Sequence, residues 1–91
     1  MTFRVEWLQA ALDELTEVWL QQDASGREAL TRAIYLAEQQ LKQTPAEIGE
    51  SRPGGQRILF VLPLGVLYRV VASSAEVTVL HVWHIRIPGA P

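Results

Sequence analysis

The spacing of apolar residues changes along the first half of this chain. Residues 2–7 alternate between apolar and charged side chains, which predicts a strand with one buried face. From residue 8 onward the apolar residues recur every three or four positions, which predicts an amphipathic helix of about three turns ending near residues 22–24. Its apolar stripe comprises Leu8, Ala11, Leu12, Leu15, Val18 and Trp19.

A second helix is predicted to begin at a capping box. The Ser25 hydroxyl can accept a hydrogen bond from the amide of Glu28, and the Glu28 side chain can reach back to the start of the helix. Pro45 ends this helix, because the residue before a proline is displaced from helical geometry. The short link between the two helices predicts an antiparallel helical hairpin. The apolar stripe of the second helix comprises Leu30, Ala33, Ile34, Ala37 and Leu41.

The most apolar stretch is residues 57–71, RILFVLPLGVLYRVV. Pro63 and Gly65 interrupt it, so we predict two short strands joined by a turn at residues 62–65. A further strand is predicted over residues 76–87. The short link before that strand predicts an antiparallel hairpin, and apolar side chains on both of its faces predict a central place in the sheet.

The predicted fold class is α+β, with the element order β-α-α-β-β-β. An antiparallel sheet, to which the N-terminal strand is added, carries the helical hairpin on one face. Residues 1–91 form a single domain, in which residues 46–56 are a polar loop rich in glycine and proline and residues 88–91 are a tail. We expect any function to lie on the uncovered sheet face or at a sheet edge.

The composition excludes several kinds of site. The chain has no cysteine, which excludes a disulfide, a thiolate metal site and a cysteine nucleophile. Two histidines and no cluster of carboxylates predict neither a metal site nor any cofactor. The longest uncharged apolar run has 11 residues, far fewer than the roughly 20 that a membrane-spanning helix needs. Because no signal-peptide pattern is visible either, we expect a soluble, cytoplasmic protein with no membrane partner.

The two halves of the chain differ in charge. Residues 1–51 hold nine acidic and four basic residues, a net charge of −5, whereas residues 52–91 hold four arginines and one glutamate, a net charge of +3. Arginine suits bidentate contacts to phosphate or carboxylate. Residues 52–91, which contain most of the predicted sheet, are therefore a candidate anion-binding surface. The alternative is that their four arginines only keep a small sheet soluble.

Three stretches of the sequence resemble the RelE/ParE superfamily of bacterial toxins. FRVEW followed by an amphipathic helix looks like the first strand and helix of that family. GESRPGGQRILFVLPLGVLYRV is similar to its glycine-rich loop, a strand that begins with a base, a turn, and a strand ending in Leu-Tyr-Arg-Val. VTVLHVWHIR resembles its last strand, which often closes in a His-x-Arg pattern. The resemblance covers roughly residues 2–87.

The resemblance implies the toxin half of a type II toxin–antitoxin pair, neutralised by a cognate antitoxin. Some family members are mRNA interferases, which cleave messenger RNA in the ribosome and so inhibit translation, and others poison DNA gyrase; one fold carries both mechanisms. The expected function is growth inhibition by ribosome-associated mRNA cleavage, and the enzyme would be an endoribonuclease without a metal. A protein-binding toxin such as a gyrase poison, and a weakly toxic interaction module, remain alternatives.

Five residues are expected to carry this chemistry on the open sheet face, where the family's ribonucleases place it. Arg57 matches the base that opens the strand after the glycine-rich loop, and His84 and Arg86 match the closing His-x-Arg pattern; these three are the expected catalytic residues. Arg52 and Arg69 are the expected phosphate- or RNA-binding residues. Such chemistry needs a base for the 2′-hydroxyl, an acid for the leaving oxygen and cations for the developing phosphate charge.

Structural roles are the alternative for several of these polar residues. Arg52 could pair with Glu50, and Arg69 could pair with Glu76 across the hairpin turn, although exposed ion pairs contribute little to stability. His81 stands among apolar residues, so it is interpreted as a buried, hydrogen-bonded histidine rather than a catalytic group.

The sequence departs from the ribonuclease pattern at Leu59 and Gly65, where the family often carries basic residues.

A partner-binding site is expected elsewhere, in an apolar groove between the helical hairpin and the sheet edge. Such a groove would bind a partner peptide as an extended segment or a helix.

Overall fold

The helices and strands follow the predicted order with one addition. In the computed structural model, which describes residues 2–86, the polar loop contains a short extra strand that its exposed side chains did not reveal. The end of the predicted last strand and the predicted tail lie outside the described residues. The elements are β1 Arg4–Trp7, α1 Gln9–Leu20, α2 Ala24–Gln43, β2 Glu50–Arg52, β3 Gln56–Val61, β4 Leu64–Val71 and β5 Glu76–His84.

The sheet has five strands in the order β1-β5-β4-β3-β2, and the α+β fold class is confirmed. The strands β3, β4 and β5 form the predicted antiparallel meander, and β5 lies between two neighbours as its apolar faces predicted. By contrast β1 runs parallel to β5, with Arg4 opposite Glu76, so the sheet is mixed rather than wholly antiparallel. Parallel neighbours need a long connection, and here the hairpin and the meander provide it.

A β-bulge divides β5 into two parts. The pairing with β4 skips Leu80, which lies between Val79, the partner of Tyr68, and His81. An extra residue reverses the alternation of side chains between the two faces of the sheet. Unbroken alternation would place His81 with Val79 in the core, and because of the bulge Val82 lies there instead.

The core lies between the helical hairpin and one face of the sheet. Tyr68 is fully buried there, and its hydroxyl oxygen lies 2.7 Å from the carbonyl oxygen of Pro45 and 3.0 Å from that of Ile48. This hydroxyl holds the loop after α2 against the sheet. The buried apolar residues are Ala11, Val18, Leu30, Ala33, Ala37, Leu41, Leu59, Leu64, Val66, Tyr68, Val77, Val79 and Val82.

Asp23, and not Ser25, caps the second helix. The Asp23 carboxylate accepts a hydrogen bond from the backbone amide of Gly26 at 2.8 Å, and Ser25 lies inside the first turn. The predicted capping box is therefore wrong, because a carboxylate two residues earlier already binds the free amide and suits the positive end of the helix. The helix ends before Pro45, as predicted. No helix within residues 2–86 is long and apolar enough to cross a membrane.

Asp23→Ala is expected to lower the free energy of unfolding by about 1 kcal/mol, because the helix loses its cap. Ser25→Ala is the matched control and should change stability by less than about 0.5 kcal/mol, since alanine suits a helix interior. Urea denaturation of both variants measures this difference. An equal loss of stability in the two variants would mean that Ser25 contributes to the cap as much as Asp23 does.

Candidate functional site

The face of the sheet opposite the helical hairpin is called the open face here. Its side chains alternate with buried side chains of the same strands. Cross-strand pairing arranges them in three rows that run across the sheet. The cationic row is Arg52, Gln56, Arg69 and Thr78; the middle row is Glu50, Ile58, Leu67 and His81; the aromatic row is Phe60, Gly65 and Trp83.

The cationic row contains both predicted phosphate-binding residues. Arg52 and Arg69 lie two strands apart, which separates their backbones by about 10 Å. Arg52 donates a hydrogen bond to the Glu50 carboxylate at 2.9 Å, so its charge is partly compensated. Among residues 2–86, no carboxylate lies within 4.0 Å of the exposed Arg69 guanidinium. Arg69 is therefore the arginine of this row that is free to meet an anion.

Glu76 pairs with Arg4 at 2.7 Å, so the alternative in which it pairs with Arg69 is not the one observed. The reason is that β1 runs parallel to β5 and brings Arg4 directly opposite Glu76. The hydrogen bond from Arg4 lowers the pKa of the Glu76 carboxyl below its usual value. Since Arg4 is exposed and Glu76 is partly exposed, the pair adds little stability. It leaves Arg69 without a carboxylate partner among residues 2–86.

Arg57 lies on the helix side of the sheet, opposite Tyr68. Its Nε donates to the carbonyl oxygen of Ile48 at 2.9 Å, and a terminal nitrogen donates to that of Gly49 at 3.3 Å. The guanidinium thus fixes the loop before β2. The Arg57 side chain therefore leaves the sheet on the face opposite that of Arg69, which is on the open face.

The structure does not bring the three predicted catalytic residues together. His84 lies opposite Leu64, which is buried on the helix side. Arg57 lies opposite Tyr68. Tyr68 and Leu64 are four residues apart on β4, a distance of roughly 13 Å along the strand. Arg86 is exposed beyond the end of β5. Arg57 and His84 therefore lie at opposite ends of the meander.

The aromatic row explains one departure from the ribonuclease pattern. The rings of Phe60 and Trp83 meet edge to face, with centroids 6.4 Å apart. The indole of Trp83 lies over Gly65, so close that a Cβ on Gly65 would stand 2.6 Å from the indole nitrogen. The space above Gly65 is thus occupied by Trp83. Leu59, the other departure, belongs to the core on the helix side.

His81 is exposed on the open face, and the prediction that it is buried is wrong. The prediction that it is hydrogen-bonded is right, because its Nδ1 lies 3.1 Å from a carboxylate oxygen of Glu14. The same oxygen accepts a hydrogen bond from the backbone amide of Val82 at 3.2 Å. Glu14 could not be singled out from the sequence, because it resembles the other acids of α1. The bulge that turns His81 outward also leaves no trace in the apolar pattern.

Two shallow cavities lie along the helical hairpin and share Thr31 and Arg32. One, of about 340 Å³, includes Arg27 stacked 5.4 Å from the ring of Trp19. The other, of about 390 Å³, has an apolar lining that includes the exposed Tyr35. Helix residues alone line both, so neither is the predicted groove beside the sheet edge. Within residues 2–86, no group of three His, Cys, Asp or Glu side chains could hold a metal ion.

Solved structures with this arrangement of helices and strands include several bacterial toxins. No protein-family model matches the sequence, and no curated protein matches it at a significant level. A chain of the toxin–antitoxin complex RelBE2 from Mycobacterium tuberculosis superposes with a TM-score of 0.73 at 20% identity, covering 92% of this chain and 99% of that chain. The chain has the RelE/ParE toxin fold. A chain of the chromosomal ParDE system from P. aeruginosa gives a TM-score of 0.69 at 19% identity, covering 93% and 98% of the two chains.

The RelE/ParE fold accounts for nearly the whole length of each protein in these comparisons. A YoeB/ParE toxin from Agrobacterium tumefaciens, at 23% identity and a TM-score of 0.57, covers 92% of this chain and is itself matched along 100% of its length. The fold predicted from the three sequence stretches is therefore confirmed. The fold alone does not identify a reaction, so any proposed chemistry depends on the residues of the open face.

Proposed function

We propose that this chain is the toxin component of a toxin–antitoxin pair and acts in the cytoplasm. The observation that carries the proposal is the match, over almost the full length of both partners, to chains from the RelBE2 and ParDE toxin–antitoxin systems. A cognate antitoxin, encoded beside the toxin, would neutralise it. The exposed apolar residues of the helical hairpin, such as Leu20, Tyr35 and Leu36, give such a partner apolar surface to cover.

We propose further that the toxin cleaves messenger RNA at the ribosome, and that the open face carries the RNA. Three features support this. Arg69 offers a phosphate a cation that has no carboxylate partner among residues 2–86, and Arg52 lies in the same row. The half-exposed Phe60 and the partly exposed Trp83 offer aromatic surface on which nucleobases stack. Arg57, His84 and Arg86 remain predicted catalytic residues. Arg57 already donates hydrogen bonds to the carbonyl oxygens of Ile48 and Gly49.

A protein-binding toxin, such as a gyrase poison, is the second candidate. The separation of Arg57 from His84 favours it, because an acid and a base that act on one phosphodiester must reach the same substrate. In that mechanism the exposed Phe60 and Leu62 would contact the target protein, and no RNA would be cut.

Controlled expression in bacteria separates these functions. Wild-type protein is expected to arrest growth, and co-expression of the short reading frame beside its gene should restore growth. Mapping of message ends should show new cleavage sites within translated regions. Arg69→Ala should slow the cleavage about a hundredfold, because a charge donor is lost at the phosphate, whereas Arg32→Ala, with the same charge change on α2, should not.

Each contrary result has a distinct meaning. Arrest with intact messages and a DNA damage response would replace RNA cleavage by gyrase poisoning. Equal cleavage by the Arg69 and Arg32 variants would remove the open face as the RNA site. Normal growth at high expression would refute the toxin proposal itself.

A further inference from the structure

Glu14 holds the imidazole of His81 at a free edge of β5. Pairing with β1 ends at Val79, so the amide of Val82 lies beyond the last parallel partner. Glu14 reaches this edge from α1, accepts from the Val82 amide at 3.2 Å and lies 3.1 Å from Nδ1 of His81. An ionised carboxylate only accepts hydrogen bonds, so Nδ1 is the donor. The neutral ring then carries its lone pair on Nε2.

His81 stands between the cationic row and the aromatic row of the open face. Arg69 and Trp83 each lie about two residues along the strands from the row of His81, which is roughly 7 Å on either side. The His81 side chain is 54% exposed, and within residues 2–86 the only hydrogen bonds of its ring are those of Nδ1 to Glu14. A proton acceptor, a phosphate-binding cation and a stacking surface thus lie side by side.

We propose that His81 is the general base of RNA cleavage and that Glu14 is its positioning residue. The inference rests on the proposed RNA cleavage and assigns a residue that the resemblance did not indicate. Arginine is a poor base because it stays protonated in proteins, so Arg57 and Arg86 are unsuited to this step. His84 lies opposite a buried residue of the helix side, whereas His81 faces the surface that holds Arg69.

The reaction transfers one proton and exchanges one phosphorus–oxygen bond. Nε2 of His81 takes the proton of a 2′-hydroxyl, and the 2′-oxygen forms a bond to the adjacent phosphorus. The bond from phosphorus to the 5′-oxygen breaks, and that oxygen takes a proton from water. The products are a 2′,3′-cyclic phosphate and a 5′-hydroxyl end, and the imidazolium returns its proton to solvent. Arg69 stabilises the charge that develops on the phosphate.

Single-turnover cleavage of a defined message on programmed ribosomes tests the assignment. His81→Ala should lower the maximal rate at least about a hundredfold and leave the protein concentration for half-maximal rate unchanged. Added imidazole should restore part of the rate, which it could not do if the side chain were only structural. Glu14→Gln should lower the maximal rate about tenfold or more, because an amide no longer fixes the tautomer of the imidazole. Asp13→Asn is the matched control, because it makes the same charge change one residue away. Among residues 2–86 the Asp13 carboxylate accepts a side-chain hydrogen bond only from Gln9 of its own helix.

The outcomes separate this inference from the function on which it rests. Thermal unfolding of each variant confirms that it is folded at the assay temperature. If wild-type protein cuts the message and the His81 variant cuts equally fast, or imidazole restores nothing, His81 is not the base and RNA cleavage stands. If wild-type protein cuts no message, RNA cleavage and this assignment fall together. Product ends that lack a cyclic phosphate would also overturn the proposal.

Discussion

Replacing Tyr68 with alanine is expected to lower the free energy of unfolding by about 3–5 kcal/mol, because a fully buried ring leaves a cavity. Domains of this size are stable by only about 5–15 kcal/mol, so the variant should lose a large share of its stability and unfold at a lower temperature than the wild type. The smaller change Tyr68→Phe keeps the ring and should cost about 1–3 kcal/mol, because the buried carbonyl of Pro45 loses its donor.

Tyr35→Phe is the matched control for the hydroxyl. Tyr35 is 62% exposed on α2, so the loss of its hydroxyl should change stability by less than about 0.5 kcal/mol. Guanidinium denaturation measures all three variants. If Tyr68→Phe is as stable as Tyr35→Phe, then the hydroxyl of Tyr68 does not hold the loop after α2.

The dependence of stability on alkaline pH should also reflect Tyr68. Burial raises the pKa of the Tyr68 phenol above its ordinary value of 10.0, an effect that the nearby Arg57 partly opposes. The folded pKa therefore lies above the unfolded one, so the contribution of the neutral phenol is complete below pH 10 and is lost as the pH rises through the folded pKa. In that window the stability of the wild type should fall relative to Tyr68→Phe by up to about 1.4 kcal/mol per pH unit. A constant difference between the two proteins from pH 8 to 11 would contradict this.

Gly65→Ala is expected to destabilise the protein by about 1–3 kcal/mol, the usual cost of overpacking. The added methyl group would meet the indole of Trp83, with the ring nitrogen 2.6 Å away, so the ring must move off the sheet. The indole resonance of Trp83 in a nitrogen–proton spectrum should shift, and urea denaturation measures the stability. Gly26→Ala is the matched control, because its new methyl group meets only the flexible side chain of Gln22 and the cap carboxylate of Asp23.

A double-mutant cycle identifies the cause. In a Trp83→Leu background the cost of Gly65→Ala should fall by about 1 kcal/mol or more, because contacting residues do not act additively. The same cost in both backgrounds would mean that the strand, and not the indole, rejects the methyl group. The cycle also bears on function, since it shows whether the space above Gly65 is available to a longer basic side chain.

Much of this fold could be predicted from the sequence because its signals are local. The three- and four-residue spacing gave the helical hairpin, Pro45 gave the end of α2, and Pro63 gave the turn of the meander. The direction of β1 could not be predicted, because the alternation of residues 2–7 is the same in a parallel and an antiparallel pair. The short strand β2 has three exposed residues, so no apolar pattern marks it.

The candidate site could be predicted only in part, because its assembly depends on pairings between distant residues. Arg52 and Arg69 were found by resemblance and do share one row of the open face. Arg57 and His84 were found in the same way, but alternation along their strands places them on the helix side. Glu14 was missed, since its contact with His81 spans 67 residues of sequence.

The bulge at Leu80 changes which positions of β5 face the core. Upstream of it, odd-numbered valines face the core, and downstream the even-numbered Val82 does. A deletion of this one leucine would restore unbroken alternation, because His81 would follow Val79 directly, and it would leave Val82 inside and Trp83 outside. Position 80 is thus the place in β5 where a residue can be removed without exchanging the two faces of the sheet.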